Sequence, residues 1–131
     1  MTLTRSVLAC LCVLVLSPLP ALAELAPARF DKDKTVSLPG VVKTFAMAAP
    51  HGSVLLVVTG ADGKAVEWSL ETAGPTQLQR SGWQAASLKS GDKITASIHP
   101  ARDGGSGGEL VSVTLADGQV LPAGQQVGVG R

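Results

Sequence analysis

Short apolar runs that end in turn signals follow one another along most of this sequence. Residues 53–59 (SVLLVVT) are apolar and β-branched, and residues 65–71 (AVEWSLE) alternate between apolar and polar side chains. The first pattern is typical of a buried strand, and the second of a strand with one buried face. Asp62-Gly63, between the two runs, favours a hairpin turn because glycine tolerates the positive φ angle that such turns require. The pattern predicts an all-β domain.

The predicted elements follow the order of an OB-fold, a five-stranded Greek-key barrel. Strands are expected at residues 35–47, 53–59, 65–71, 93–99 and 109–115, with a bend at Pro39-Gly40 in the first of them. Pro75 and the helix formers around Leu78 predict one short helix between the third and fourth strands. We therefore predict a small OB-fold-like barrel at residues 35–121. A closed meander or a small sandwich is the alternative.

Alternation of apolar and polar residues also predicts which side chains face the barrel interior. These are Val66, Trp68 and Leu70 in the third strand, Ile94, Ala96 and Ile98 in the fourth, and Val111, Val113 and Leu115 in the fifth. Glu67 is expected to face solvent. Trp83, which follows the helix, is expected to fold back onto the core.

The first 23 residues have the three parts of a secretory signal peptide. Arg5 supplies the positive charge, residues 7–16 form an apolar stretch, and Ala21-Leu22-Ala23 matches the small-x-small cleavage pattern. That stretch is too short for a membrane-spanning helix, which needs roughly 20 apolar residues. We expect cleavage after Ala23, a periplasmic protein and no stable insertion into the membrane. A lipobox at residues 7–10 is the alternative, although its cysteine lies unusually close to the N-terminus.

Cleavage would leave a chain without cysteine, because Cys10 and Cys12 both lie in the leader. The mature protein would then have neither a disulfide nor a cysteine metal ligand. Residues 24–34 are expected to form a flexible arm and residues 122–131 a disordered tail. Packing alone would stabilise the barrel between them.

The charge balance gives no support for nucleic acid binding. The sequence has 11 basic and 10 acidic residues, and removing Arg5 with the leader leaves ten of each sign. A neutral chain offers no electrostatic attraction to nucleic acid or to an anionic membrane surface. Aromatic residues make up only 3% of the sequence, too few for a base-stacking platform. We therefore predict no nucleic acid partner.

A set of residues in fixed order along the domain is similar to a known family. It includes Phe30-Asp31, Gly40, Pro50-His51, Asp62-Gly63-Lys64, Trp68 with Glu71, Gly74-Pro75, Gly82-Trp83, Gly91-Asp92 and Asp117-Gly118. Together they resemble a family of small exported proteins of Gram-negative bacteria that is known only as a domain of unknown function. The resemblance implies a fold and a periplasmic location, and no activity. Members of that family often carry a His-His pair just ahead of the Phe-Asp, where this chain has residues 26–29 (APAR).

Two histidines, His51 and His99, are the main candidates for binding chemistry. On an OB topology His51 lies in the loop between strands one and two and His99 ends strand four, so both flank the usual OB ligand face. With Trp68 they form the predicted ligand site. Met47 would add a thioether, and Met47, His51 and His99 together would suit Cu(I), which favours soft ligands. Ordinary loop and core positions for these residues are the alternative interpretation.

The sequence carries no pattern of a catalytic site. It lacks a G-x-S-x-G element, and cleavage would remove both cysteines. Glu67 and Glu71 would lie about 13 Å apart along one strand, further than a glycosidase carboxylate pair. The glycine-rich residues 104–108 lack the following Lys-Ser/Thr of a phosphate loop.

These observations predict a monomeric, non-enzymatic binding or accessory module without a resident cofactor. Its partner would be a small ligand or an envelope protein. Two alternatives remain open at this point. One is a periplasmic copper-binding protein that uses His51 and His99. The other is a structural partner that offers a strand edge to an envelope protein.

Overall fold

The computed structural model describes residues 28–123. Six strands and one helix follow one another in this range: β1 (Val36–Ala46), β2 (Ser53–Thr59), β3 (Ala65–Glu71), α1 (Pro75–Arg80), β4 (Lys93–Pro100), β5 (Gly107–Thr114) and β6 (Val120–Pro122). The predicted signal peptide, its cleavage site and most of the predicted tail lie outside the described residues. None of the helical residues among 28–123 forms a segment with the length and apolar character that a membrane span requires.

Five of the strands close into a barrel. Antiparallel pairs join β3 to β2, β2 to β1, β1 to β4 and β4 to β5. A parallel pair between residues 69–71 of β3 and residues 107–109 of β5 closes the ring. With α1 between β3 and β4, this architecture confirms the predicted all-β, OB-like barrel. β6 extends the sheet beyond the ring by pairing with residues 112–114 of β5.

β1 pairs with two neighbouring strands. Residues 36–41 pair with β4, and residues 41–46 pair with β2. Gly40 lies where the partner changes, and a Cβ atom there would approach Val57 O to 2.6 Å and Leu56 Cγ to 2.8 Å. The crossing of β1 between its two partners therefore has no room for a side chain at this position.

The irregularity in β1 lies beyond the bend that the sequence predicts. Pro39 and Gly40 keep a regular register against β4, whereas the register against β2 shifts at Lys43. A bulge of this kind adds one residue to a strand and increases its local twist. After the bulge, Phe45 and Met47 pack against the core.

Trp83 is the largest fully buried side chain of the core. Its Nε1–H donates a hydrogen bond to Pro122 O at 2.8 Å, and its ring centroid lies 5.3 Å from that of Phe45. Leu78 of α1 is also buried, so the helix and the residues after it cover the core together. The expectation that Trp83 folds back onto the core is confirmed.

The predicted inward-facing residues are right for β4 and partly wrong for β3 and β5. All three residues predicted for β4 are buried. Val66 of β3 is 42% exposed, because β5 pairs with β3 only from Ser69 onward and leaves the beginning of β3 uncovered. In β5 Val113 is buried as predicted, but Leu110 is buried in place of Val111, since the register against β4 shifts at Val111 and reverses the alternation there.

Candidate functional site

A cleft of about 480 Å³ opens between the β1–β2 loop and the beginning of β5. Its walls include Arg29, Phe30, His51, Ser53, Ser69, Glu71 and Gly107, and we call it the His51 cleft. In OB-folds, the face of strands two and three and the loops one-two and four-five form the usual ligand site. The His51 cleft has residues from β2, β3 and the β1–β2 loop in its walls, so it lies at this position.

A larger groove of about 600 Å³ lies along β1, β2 and β4, and we call it the β1 groove. Its lining residues include Pro39, Val41, Val57, Thr95 and Leu115, and Lys93 is the one ionisable side chain among those that line it. The His51 cleft is smaller but brings together three ionisable side chains, Arg29, His51 and Glu71. The His51 cleft therefore has more ionisable side chains in its walls than the β1 groove.

Close backbone packing positions the loop that carries His51. The Gly52 N–H donates to Ala73 O at 3.2 Å, which ties the loop to the segment after β3. A Cβ atom at Gly74 would lie 2.7 Å from Pro50 O, so the two backbones approach as closely as glycine allows. These contacts hold His51 beside the end of β3.

Arg29 reaches the cleft from the segment that precedes β1. Phe30 forms an isolated β-bridge with Ala101, and the Arg102 N–H donates to Arg29 O at 2.9 Å. The guanidinium carbon of Arg29 lies 4.9 Å from the centroid of the Phe30 ring, within the range of cation–π attraction. This part of the segment predicted as a flexible arm thus lies against the β4–β5 loop.

Glu71 lies between the two basic side chains of the cleft. Its Oε2 accepts a hydrogen bond from Arg29 Nη2 at 2.6 Å, and its Oε1 is 3.6 Å from His51 Nδ1. The first contact is a charge-assisted hydrogen bond, whereas the second is too long for a hydrogen bond. The Glu71 side chain is 23% exposed, against 71% for Arg29. Each carboxylate oxygen therefore faces one basic side chain.

His99 lies at the same end of the barrel but is not among the residues that line the His51 cleft. It pairs with Glu109 of β5, which pairs with Glu71 of β3, so one strand separates His99 from the cleft. The His99 Nδ1 is 2.8 Å from Lys34 O, and because a carbonyl only accepts, Nδ1–H is the donor. Glu109 lies 4.0 Å from the ammonium group of Lys32.

The other two predicted ligands, Trp68 and Met47, pack against the core and do not line the cleft. Trp68 lies on the opposite face of β3 from Glu71 because successive side chains of a strand alternate. Of the predicted site residues, the structure places His51 in the cleft and Trp68, His99 and Met47 outside it. Residues 28–123 contain no group of three or more His, Cys, Asp or Glu side chains that could hold a metal ion. Copper binding stays a prediction.

Glu71 belongs to the ordered set of family-like residues, but no sequence pattern pairs it with Arg29. Alternation places Glu71 on the same face of its strand as Glu67, which is expected to face solvent, and Arg29 falls in the segment expected to be a flexible arm. The two residues are 42 positions apart, and it is the β-bridge of Phe30 beside the β4–β5 loop that brings the arginine to the end of β3. A local motif could not have revealed this long-range contact.

Comparison with known proteins identifies a family. The model of a family of unknown function, DUF6152, matches residues 12–110, about three quarters of the chain. The matched range includes β1 to β4 and the first residues of β5, and so it contains the walls of the His51 cleft. No curated protein and no solved structure matches the chain. The chain belongs to DUF6152, a family of unknown function.

Proposed function

We propose that this protein is a non-enzymatic periplasmic binding module that holds a small polar ligand in the His51 cleft. The observation that carries the proposal is a cleft at the usual OB ligand position in which Arg29 and His51 flank one carboxylate. Its volume of about 480 Å³ falls within the range of small-molecule sites, roughly 300–1,000 Å³.

Two hydroxyl groups add hydrogen-bonding capacity to the cleft. Ser53 and Ser69 both line it and are both exposed. Within residues 28–123, neither hydroxyl forms a hydrogen bond. Ser53 also pairs with Glu71 across β2 and β3, so the hydroxyls lie beside the charged groups. The cleft therefore offers a polar ligand both charged side chains and hydroxyl groups.

The same geometry supports binding rather than catalysis. A general base must be free to take a proton from the substrate. Glu71 has each of its oxygens directed at a basic side chain. Glu67, the next carboxylate on the same face of β3, forms an ion pair with Lys43 of β1. Both carboxylates therefore already have basic neighbours.

The proposed periplasmic location rests on the leader at residues 1–23. Its charged start, apolar stretch and small-x-small end are those of an exported protein. From Glu24 onward the sequence contains no cysteine, so the exported protein would have no thiol that an oxidising compartment could oxidise.

Blocking the cleft with one aromatic side chain tests the proposal. A ligand that binds the folded state raises its melting temperature, by several degrees when its concentration is about ten times Kd or more. We expect at least one compound in a panel of small carboxylates, phosphates, sugars and amines to raise the Tm of the unaltered protein in this way. Ser69→Tyr should remove the shift because the new ring fills the cleft.

Ala65→Tyr is the matched control for this experiment. It introduces the same ring on the same face of β3, four residues from Ser69 and outside the His51 cleft. The Tm shift should persist in this variant. If the two variants respond alike to every stabilising compound, or if no compound stabilises the unaltered protein, the proposal is wrong.

A further inference from the structure

The acidic group of the His51 cleft already has two basic neighbours. Glu71 is the one acidic side chain among the residues that line the cleft. Its Oε2 accepts from Arg29 at 2.6 Å and its Oε1 faces His51 at 3.6 Å. A ligand entering the cleft therefore meets a carboxylate whose two oxygens both have basic neighbours.

The groups left over in the cleft include several hydrogen-bond donors. A guanidinium has five N–H groups in a planar fork, and the hydrogen bond from Arg29 to Glu71 uses only Nη2. Because 71% of the Arg29 side chain is exposed, its remaining donors are open to a ligand. The hydroxyls of Ser53 and Ser69, which can donate or accept, complete the set.

We propose that the His51 cleft binds a compact oxyanion, the carboxylate or phosphate group of a small molecule. This inference rests on the proposed function and names its ligand class. Arg29 is the principal binding residue because its fork matches the geometry of carboxylate and phosphate oxygens. The two serine hydroxyls donate further hydrogen bonds. Glu71 is a positioning residue that orients Arg29.

A cationic ligand that displaces Arg29 from Glu71 is the competing possibility, and the backbone contacts of Arg29 count against it. The Arg29 carbonyl accepts from Arg102, and the next residue, Phe30, forms a β-bridge with Ala101. A tethered group has a high effective concentration at its partner, often millimolar. A free cation would have to compete with the tethered Arg29 guanidinium for Glu71, whereas an oxyanion can bind beside the existing ion pair.

The test is a calorimetric titration of the purified protein at low ionic strength, where electrostatic attraction is least screened. The probes are inorganic phosphate and succinate, with glucose as a neutral probe and putrescine as a cationic one. We expect saturable binding of phosphate or succinate. Arg29→Met should weaken it about tenfold or more, because a charge-assisted hydrogen bond is lost.

Lys43→Met is the matched control variant. Lys43 also pairs with a glutamate of β3, but that pair lies outside the His51 cleft. This variant should bind the anions within about twofold of the unaltered protein. Both variants remove an exposed charge, so their melting temperatures should stay close to that of the parent.

Several outcomes would overturn the inference, and they separate it from the proposed function. Equal loss in both variants, or binding of putrescine alone, would contradict oxyanion binding. Glucose binding that is sensitive to Ser69→Tyr would contradict it too and leave the proposed function standing. If none of the four probes binds, the oxyanion inference is overturned, and the proposed function then depends on the wider compound panel.

Lipid vesicles distinguish a membrane lipid from a soluble molecule as the source of the oxyanion. Phosphatidylglycerol vesicles carry the phosphate as a lipid headgroup, and phosphatidylcholine vesicles serve as the uncharged reference. Co-sedimentation that requires both phosphatidylglycerol and Arg29 would assign the oxyanion to a membrane lipid. Binding of free phosphate or succinate without co-sedimentation would assign it to a soluble molecule.

Discussion

Replacing Trp83 by alanine is expected to lower the free energy of unfolding by about 4 kcal/mol, the largest loss that we expect from any single change. The indole is only 1% exposed and packs against Phe45 at a centroid distance of 5.3 Å. Its removal would leave a large cavity and would also leave the Pro122 carbonyl without the hydrogen bond it accepts at 2.8 Å. Urea unfolding followed by circular dichroism measures the change.

Trp68→Ala is the matched control, because it removes the same side chain from a partly buried position. Trp68→Ala should lower the free energy of unfolding by less than about 2 kcal/mol, since less of the Trp68 side chain is removed from water when the protein folds. Trp83→Phe gives an intermediate case that keeps most of the packing and loses the Nε1–H donor. Similar losses for Trp83→Ala and Trp68→Ala would contradict the central position that the structure gives to Trp83.

Gly40→Ala is expected to lower the free energy of unfolding by about 3 kcal/mol, although it adds only one methyl group. The new Cβ would lie 2.6 Å from Val57 O and 2.8 Å from Leu56 Cγ. The Leu56 side chain is fully buried, and the Val57 carbonyl belongs to the backbone of β2, so neither can move away easily. Urea unfolding of this variant should show a clearly lower midpoint with an unchanged slope.

Gly107→Ala provides the comparison for Gly40→Ala. It also adds a methyl group to a strand glycine, but the nearest backbone atom to the new Cβ is Ser69 O at 3.4 Å, an ordinary contact. We expect a change of less than about 1 kcal/mol. If Gly40→Ala is tolerated as well as Gly107→Ala, the crossing of β1 between β4 and β2 is less tightly packed than the structure indicates.

The strands could be located from the sequence because local patterns determine them. The hairpin of β2 and β3 is the clearest case, since both strands lie where alternation and β-branched residues predict them. Gly63 between them has a φ angle of +79°, as the Asp-Gly turn signal implies. The helix after Gly74 is likewise marked by a proline at its start.

Bulges explain why the facing of some side chains could not be predicted. Alternation assumes a strand without interruptions, and one extra residue reverses the facing of every residue after it. Because of the bulge at Val111, Leu110 is buried in place of Val111, whereas Val113 faces inward as the simple pattern predicts. No turn residue or proline marks this position in the sequence.

The candidate site could be predicted only in part, because its geometry depends on tertiary contacts. The order of elements was sufficient to place His51 in the loop beside the OB ligand face. The neighbours of His51 were not predictable, since Arg29 meets Glu71 across 42 residues. His99 was expected at the same face, but β5 lies between it and the cleft.

A two-dimensional ¹H–¹⁵N NMR titration tests the binding site most directly. The titrant is the compound that most raises the Tm of the unaltered protein. If the ligand binds in the His51 cleft, the largest amide shifts should cluster at Gly52, Ser53, Ser69 and Gly107, which line it. Shifts that cluster instead along the β1 groove, around Val41 and the residues that face it, would contradict the central claim.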